Sequence, residues 1–472
     1  MTDVIPLFGT GLKGKSPTVT SQKHLNLYAQ IDQQGDKTQL SFYGTPGLDL
    51  FSSANGDTPI RGWYAVGDYL YYVHRGTLYK IDNAGTRTSL GSLNTTTGSV
   101  NMSYDGSVIL IVDGTNGYTF TIGSSTFAQI LSANFPNGAR TCGWLDGYFM
   151  VDAGGTSDSF FISTNGTTWN ALDFATAESA PDGLVRVFVD HGEVLLFGGS
   201  TTEFWGNIGA QDFPFQPVKG STQEIGLAAR WSLCKFDSGV VGLMKSIQGQ
   251  VVIMQFMGYQ AKKISSPELD YIINNYSAFS DATGFSYILG GHPMYQINFP
   301  TAGESWLYDA TTDMWTQLES GLSENRHRGE LAIDWLNAVR IADYENGNIY
   351  NLAPETYTDN GTAIPREIVG KHLFDGYDRM IVDELRVDFQ TGVGISSGQG
   401  SDPQAMLSYS KDNGETWSAE LWADIGEIGK YQTRVVWRRL GMGRDWLFKI
   451  RVTDPVKVVI TGAALRVRKA VS

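Results

Sequence analysis

Cysteine is almost missing from this chain: Cys142 and Cys234 are the only two in 472 residues. Two thiols exclude a disulfide framework and a cysteine-based zinc site. Both lie in apolar, strand-like stretches, where a buried thiol is the plainer reading. No apolar run is long enough to span a bilayer, and no charged-then-apolar segment at the start resembles a signal peptide. Synthesis and folding in a cytosol, without membrane insertion, are therefore expected. Histidine is scarce too. His24, His74, His191, His292, His327 and His372 are scattered, and none has a second ligand-type residue at metal spacing on a shared element, which favours surface or turn histidines over metal ligands. No metal and no cofactor is expected.

Charge is also sparse, at 18% of residues, and the formal net charge is -14. That balance argues against coating nucleic acid, which needs clustered Lys and Arg. The basic residues gather late: from Lys430 onward there are 11 against two aspartates. Among them Arg434, Arg438, Arg439, Arg444 and Arg451 form either a docking surface for an acidic neighbour, such as a second copy of the chain, or the solvated faces of strands.

What the chain does have is glycine, 55 residues, and aromatics, 12%, a composition that suits short strands and tight turns. A unit recurs: an Asp/Gly turn, an apolar and aromatic strand, a second turn and a second strand. It starts at Asp68, Asp105, Asp146 and His191, and more loosely at Ser238, Thr283 and Asn337, so that successive starts lie 37, 41, 45, 47, 45 and 54 residues apart. This is close to the roughly 40 to 50 residues of a four-stranded propeller blade. One such sheet cannot bury both its faces, whereas sheets stacked around an axis bury them all. The pattern predicts an all-β chain with a β-propeller over 51–353, of seven blades, or six if one terminal pair belongs elsewhere. A row of β-sandwiches fits the steady spacing less well. Residues 1–50 carry turn signals and few strong strands and read as an N-terminal arm or wrapping segment. After a turn-rich break at 353–365, alternating strands over 366–472 predict a C-terminal β-sandwich. A short helix is expected over 267–275.

Few motifs carry chemistry. Ser410, Asp412, Gly414, Thr416 and Trp417 fit the Asp-box pattern S-x-D-x-G-x-T-W. In such a turn the carboxylate accepts backbone N–H bonds, glycine supplies a positive φ, and the tryptophan is expected to pack beneath. Ser163 to Trp169 is a degraded relative. Asp boxes occur in sialidases, so a carbohydrate-binding or sialidase-like propeller is the alternative reading. Yet no spacing picks out the arginine cluster, tyrosine nucleophile and acidic partner that a sialidase needs. Gly9 to Ser16 spells a phosphate loop with no helix or βαβ unit around it. Gly394 to Gly398 spells a nucleophile elbow inside a Gly/Ser-rich stretch. Asp113 to Gly117 lacks the distal glutamate of a calcium loop. Arg326-His327-Arg328, between Glu324 and Glu330, reads as a solvated loop. No catalytic residue is assigned.

Several segments carry a resemblance. Asn26, Leu27 and Tyr28 form an Asn-Leu-Tyr signature, and Gly44, Thr45, Pro46 and Gly47 a Gly-Thr-Pro-Gly segment. Glu203 and Trp205 lead into Phe213, Pro214 and Phe215, and a run from Asp402 through the Asp box to Gly441 completes the set. Together these resemble the tail hub, or packaged-DNA stabilisation, proteins of short-tailed, P22-like phages. Lys23-His24 departs from the Arg-Cys expected there. The resemblance implies a virion protein with no enzymatic activity, forming a homohexameric ring in the tail after DNA packaging. Its implied partners are the portal-bound adaptor protein, the tail needle protein, the tailspike protein, and genomic DNA that passes through without specific binding.

Overall fold

The computed structural model describes residues 3–470 apart from 5, 6, 10, 33–38, 55, 247, 323, 324 and 377. Among the described residues, seven antiparallel blades follow one another: 60–92, 101–129, 142–176, 184–217, 234–263, 283–320 and 329–353. Their hairpins explain the sequence repeat. At Asp146-Gly147 both residues have positive φ (50° and 87°), the backbone of a two-residue turn whose twist matches its strands. The sixth blade turns in the same way at Gly290-Gly291 (57° and 89°), and Thr283, expected as its start, opens the strand Thr283–Leu289 instead.

The second strand of a blade is buried along nearly its whole length, as in Glu193–Gly198 and His292–Phe299. Blades pack against both of its faces, so its sequence is a continuous apolar run rather than an alternating one. Tyr71, Val73 and Leu78 of the first blade pack on Ile109, Ile111 and Phe120 of the second. Leu70 and Tyr72 pack on Trp335, Ala342 and Ile349 of the seventh, which closes the ring.

The fourth strand of the seventh blade comes from the other end of the chain. Gly47–Ser52 runs antiparallel to Ile349–Ala353, with Leu48 fully buried. Other stretches of the expected arm are strand as well. Leu27–Ile31 and Leu40–Gly44 join Val459–Lys469, Met380–Phe389 and Val435–Gly443 in one sheet of the sandwich. Lys23–Leu25 joins Arg366–Val369, Asp445–Val452, Gln404–Ser410 and Leu421–Asp424 in the other. Among the described residues, 1–50 thus supply strands to both bodies in place of the expected wrapping arm. Leu27–Ile31 pairs with nearby Leu40–Gly44, but the pairings that tie these short strands into the two bodies lie hundreds of residues downstream, so no local pattern announces them.

The sandwich core brings Leu27, Ala29 and Phe42 against Val382, Leu385, Leu407, Trp446 and Phe448. Leu25 also pairs in parallel with Gln317 of the sixth blade, so one sheet runs from propeller into sandwich. Leu12 packs in the core between the fifth and sixth blades, while Leu7 and Phe8 pack in the sandwich. The helix occupies Pro267–Asn274, with proline in its first turn and Ser266 Oγ accepting the Leu269 N–H at 3.3 Å.

Candidate functional site

Two of the segments singled out in the sequence meet at the crossing between propeller and sandwich. Asn26 is 1% exposed with φ 52°. Its Nδ2 donates to the carbonyl oxygens of Glu319 (3.0 Å) and Pro365 (2.7 Å), and its Oδ1 accepts the Glu319 N–H (3.0 Å). The Thr45 N–H donates to the Asn26 carbonyl at 2.9 Å. Gly44 and Gly47 are required by close approach: a Cβ on Gly44 would lie 2.3 Å from Arg366 Nε, and one on Gly47 would lie 2.3 Å from the Thr358 carbonyl. Arg366 is 1% exposed and donates to the carbonyls of Ile364 and Thr45. Beside it Asp359, which accepts the Ser320 hydroxyl at 2.6 Å, has its pKa pushed up by burial to about 6. The Asn-Leu-Tyr and Gly-Thr-Pro-Gly segments thus form one buried polar clamp.

Glu203, Trp205, Phe213, Pro214 and Phe215 lie elsewhere, at the packing of the third and fourth blades. Trp205 Nε1 donates to Glu203 Oε2 at 2.8 Å, and Glu203 Oε1 accepts the Ser179 N–H at 2.7 Å. Phe160 of the third blade meets Trp205 and Phe213 edge to face. Both oxygens of this buried carboxylate are committed to holding the blades together.

The Asp box forms the expected turn. Ser410 Oγ donates to Asp412 Oδ1 (2.6 Å), which also accepts the Thr416 N–H (2.9 Å), and the Gly414 N–H reaches Ser410 Oγ (2.9 Å). These bonds hold the Asp412 pKa down to about 2, with Ser410 the largest contributor and Thr416 next. Trp417, however, is not packed beneath the turn. It is half-buried, faces Lys449 at 4.5 Å, and lines a groove with Trp306 of the sixth blade. Leu447 takes the space under Gly414. The degraded relative does bury its ring: Trp169 is 2% exposed and donates to the Gly166 carbonyl at 2.9 Å. Asp412 is committed to its own turn.

The late basic residues are partly neutralised within their own sheet. Arg438 Nε pairs with Glu384 at 2.9 Å, its direct cross-strand neighbour, and Arg468 grips Asp383 with two bonds of 2.6 and 2.8 Å. Arg434, Arg439 and Arg444 are exposed, while Arg451 is half-buried with its Nε lacking a partner among the described residues.

Four of the six histidines are not the surface residues expected, since His24, His74, His292 and His327 are buried, whereas His191 is an exposed turn residue and His372 is half-buried. His24 stacks on Phe42 at 5.2 Å, and burial lowers its pKa to about 4, with the Gly9 backbone opposing in part. Neither ring nitrogen reaches hydrogen-bonding geometry among the described residues. Arg326-His327-Arg328 is no solvated loop either. Arg326 pairs with Glu330 (2.8 Å) under the Tyr344 ring, and Arg328 pairs with the fully buried Asp343 (2.7 Å). Of the residues quoted for the motifs, Thr10 and Glu324 lie outside the described residues, and the stretch spelling a phosphate loop opens no helix. Sequence reasoning missed Arg366 and the central Arg186. The available signal was a lone arginine inside an apolar strand.

The comparisons with known proteins agree with this architecture. The family model described as "Bacteriophage P22 Gp10, beta-propeller" matches residues 4–357, and the one described as "Bacteriophage P22 Gp10, beta-sandwich" matches residues 365–468. The tail hub protein gp10 of Salmonella phage P22 is 25% identical over 305 residues, 61% of this chain and 61% of that protein. The chain thus spans less than two thirds of the relative's length. Among solved structures, the WD40 propeller domain of Doa1 is similar at 12% identity and TM-score 0.41, over 65% of this chain and 96% of that one. YCF48 from Cyanidioschyzon merolae is similar at 12% identity and TM-score 0.44, over 66% and 99%. Likenesses this loose add nothing to the argument.

Proposed function

We propose, from the premise that this chain belongs to the bacteriophage P22 Gp10 family, that it is the structural hub of a short-tailed phage tail. The observation that carries this reading is that both Gp10 models match in order, propeller then sandwich, across nearly the whole chain. In this reading six copies form a ring that closes the portal channel after packaging. The ring joins the portal-bound adaptor to the tail needle, supports the tailspikes, retains DNA in the head and passes it during ejection. The chain is made in the host cytoplasm, resides in the virion tail and acts as a scaffold, not as an enzyme.

Two physical features support a load-carrying part. The N-terminal strands are sewn into both bodies, so propeller and sandwich are linked by paired backbone. A net charge of -14 suits a protein past which DNA slides without sticking. Exposed Arg434 and Arg439 remain available for docking. The test is assembly: particles made without this chain are expected to lose their DNA, and particles that keep it would refute the hub. Mass measurement of the purified chain, alone and with isolated portal complexes, tests the hexamer.

A further inference from the structure

The propeller axis holds a cavity of about 600 Å3, lined by the first strands of several blades. Two arginines reach it, and they are used differently. Arg61 spends its guanidinium on the loop before the second blade: Nε donates to the Gly98 carbonyl, Nη1 to those of Arg75 and Thr95, and Nη2 to Thr95 Oγ1 and the Thr97 carbonyl, all within 2.9 Å. All five N–H groups are accounted for, and its role is structural.

Arg186 is not so satisfied. It is 9% exposed, and its Nη1 donates to the carbonyls of Arg230 and Leu233, both at 2.8 Å. Its Nε is buried without a partner among the described residues. Among those residues no carboxylate lies within salt-bridge distance of it. The carboxylates nearby are engaged: Asp190 with Lys235 and His191, and Glu330 with Arg326. The guanidinium rests against Phe188 at 5.1 Å and Trp231 at 5.6 Å, which fixes its plane. Burial and the neighbouring Arg230 lower its pKa to about 10, partly offset by the cysteines, so it stays protonated at neutral pH. A buried cation without a counter-charge is strongly disfavoured, and a flat guanidinium with spare donors matches the oxygens of a carboxylate or phosphate.

We infer that the propeller's central cavity binds a small anion bearing a carboxylate or phosphate group, with Arg186 as its principal contact and Trp231 as part of its wall. The proposal does not depend on the tail reading, since it concerns the axis of each single propeller.

Calorimetric titration of the intact chain with inorganic phosphate, and separately with acetate, at constant chloride tests it. At least one probe should bind saturably at one site per chain, and which one does identifies the group. Arg186→Met should weaken that binding by roughly ten- to a hundredfold. If neither probe saturates, or if folded Arg186→Met binds like the unaltered chain, the proposal is wrong. Should Arg186→Met fail to fold, Trp231 supplies the second readout. The anion should change tryptophan emission in the unaltered chain and not in Trp231→Phe, and an undiminished change in Trp231→Phe would place the anion elsewhere and overturn the inference.

Discussion

Replacing Asn26 should show how tightly the two bodies are joined. Its amide serves three buried backbone groups on two segments far apart in sequence, the last strand of the sixth blade and the linker at Pro365. Asn26→Ala leaves the Glu319 N–H without its acceptor, at about 1–3 kcal/mol. It also places a Cβ residue at φ 52° without the local bonding that lets asparagine tolerate it, roughly 1 kcal/mol more. With two carbonyls losing donors, the total is about 3–5 kcal/mol. For a chain of 472 residues that unfolds as one unit, this lowers the melting temperature by roughly 3–5 °C.

The pattern across three variants is sharper than any single value. Asn26→Gly loses the same bonds but relieves the backbone, so it should be about 1 kcal/mol less damaging than Asn26→Ala. Asn26→Asp keeps the acceptor for Glu319 yet replaces the buried donor with a carboxylate oxygen facing two carbonyl oxygens, and should be the worst of the three at neutral pH. Scanning calorimetry with hydrogen exchange at the Glu319 amide reads both stability and locality. A melting temperature within 2 °C of the unaltered chain for Asn26→Ala, or Asn26→Gly less stable than Asn26→Ala, would refute the clamp.

Three further outcomes are expected. Trp169→Ala should destabilise by about 3–5 kcal/mol because its ring is fully packed, whereas Trp417→Ala should cost about 1 kcal/mol; urea midpoints of the pair decide it, and equal losses would contradict the burial difference. Leu48→Ala should cost about 2–5 kcal/mol and selectively reduce hydrogen-exchange protection of Ile349–Ala353, the strand it closes against. His24 is held neutral when folded, with its pKa lowered to about 4 against an ordinary 6.5, so the stability it allows is complete above about 6.5 and is lost as pH falls toward 4. His24→Phe should flatten that acid-side loss by roughly 3 kcal/mol, leaving the part due to His327, whose pKa burial lowers to about 3; unchanged urea midpoint slopes between pH 7 and 4.5 would contradict it.

The propeller was readable because its signals are local. Asp146-Gly147 dictates a turn within its own hairpin, and Val194 to Phe197 announces a doubly buried strand without reference to any partner. Gly47–Ser52 has no such mark, because what makes it a strand is Ile349–Ala353 at the far end of the ring. The Asn26 and Gly47 segments were recognisable by resemblance, yet their reason, a shared clamp with Arg366, emerges only when distant segments meet. Trp417 shows the reverse error. The motif predicts the turn, within which Ser410 donates to Asp412, but what lies beneath a turn is decided by a neighbouring strand, here through Leu447. The buried histidines were misread for the same reason, since His24 is covered by Phe42 and strands that the local sequence does not contain.

The same crossing constrains how the protein forms. The strands Leu40–Gly44 and Gly47–Ser52 are made hundreds of residues before their partners Val459–Lys469 and Ile349–Ala353. Blades one to six can pair locally as they emerge, while ring closure and sandwich closure both wait for segments far apart in the sequence to meet. Such long-range pairing is slow, and it leaves strand edges open until the end. Once made, however, neither body can open without pulling on the other, because Asn26, Thr45 and Arg366 lie on the short path between them. Stress on the sandwich reaches the propeller through paired strands and buried hydrogen bonds rather than through a flexible linker.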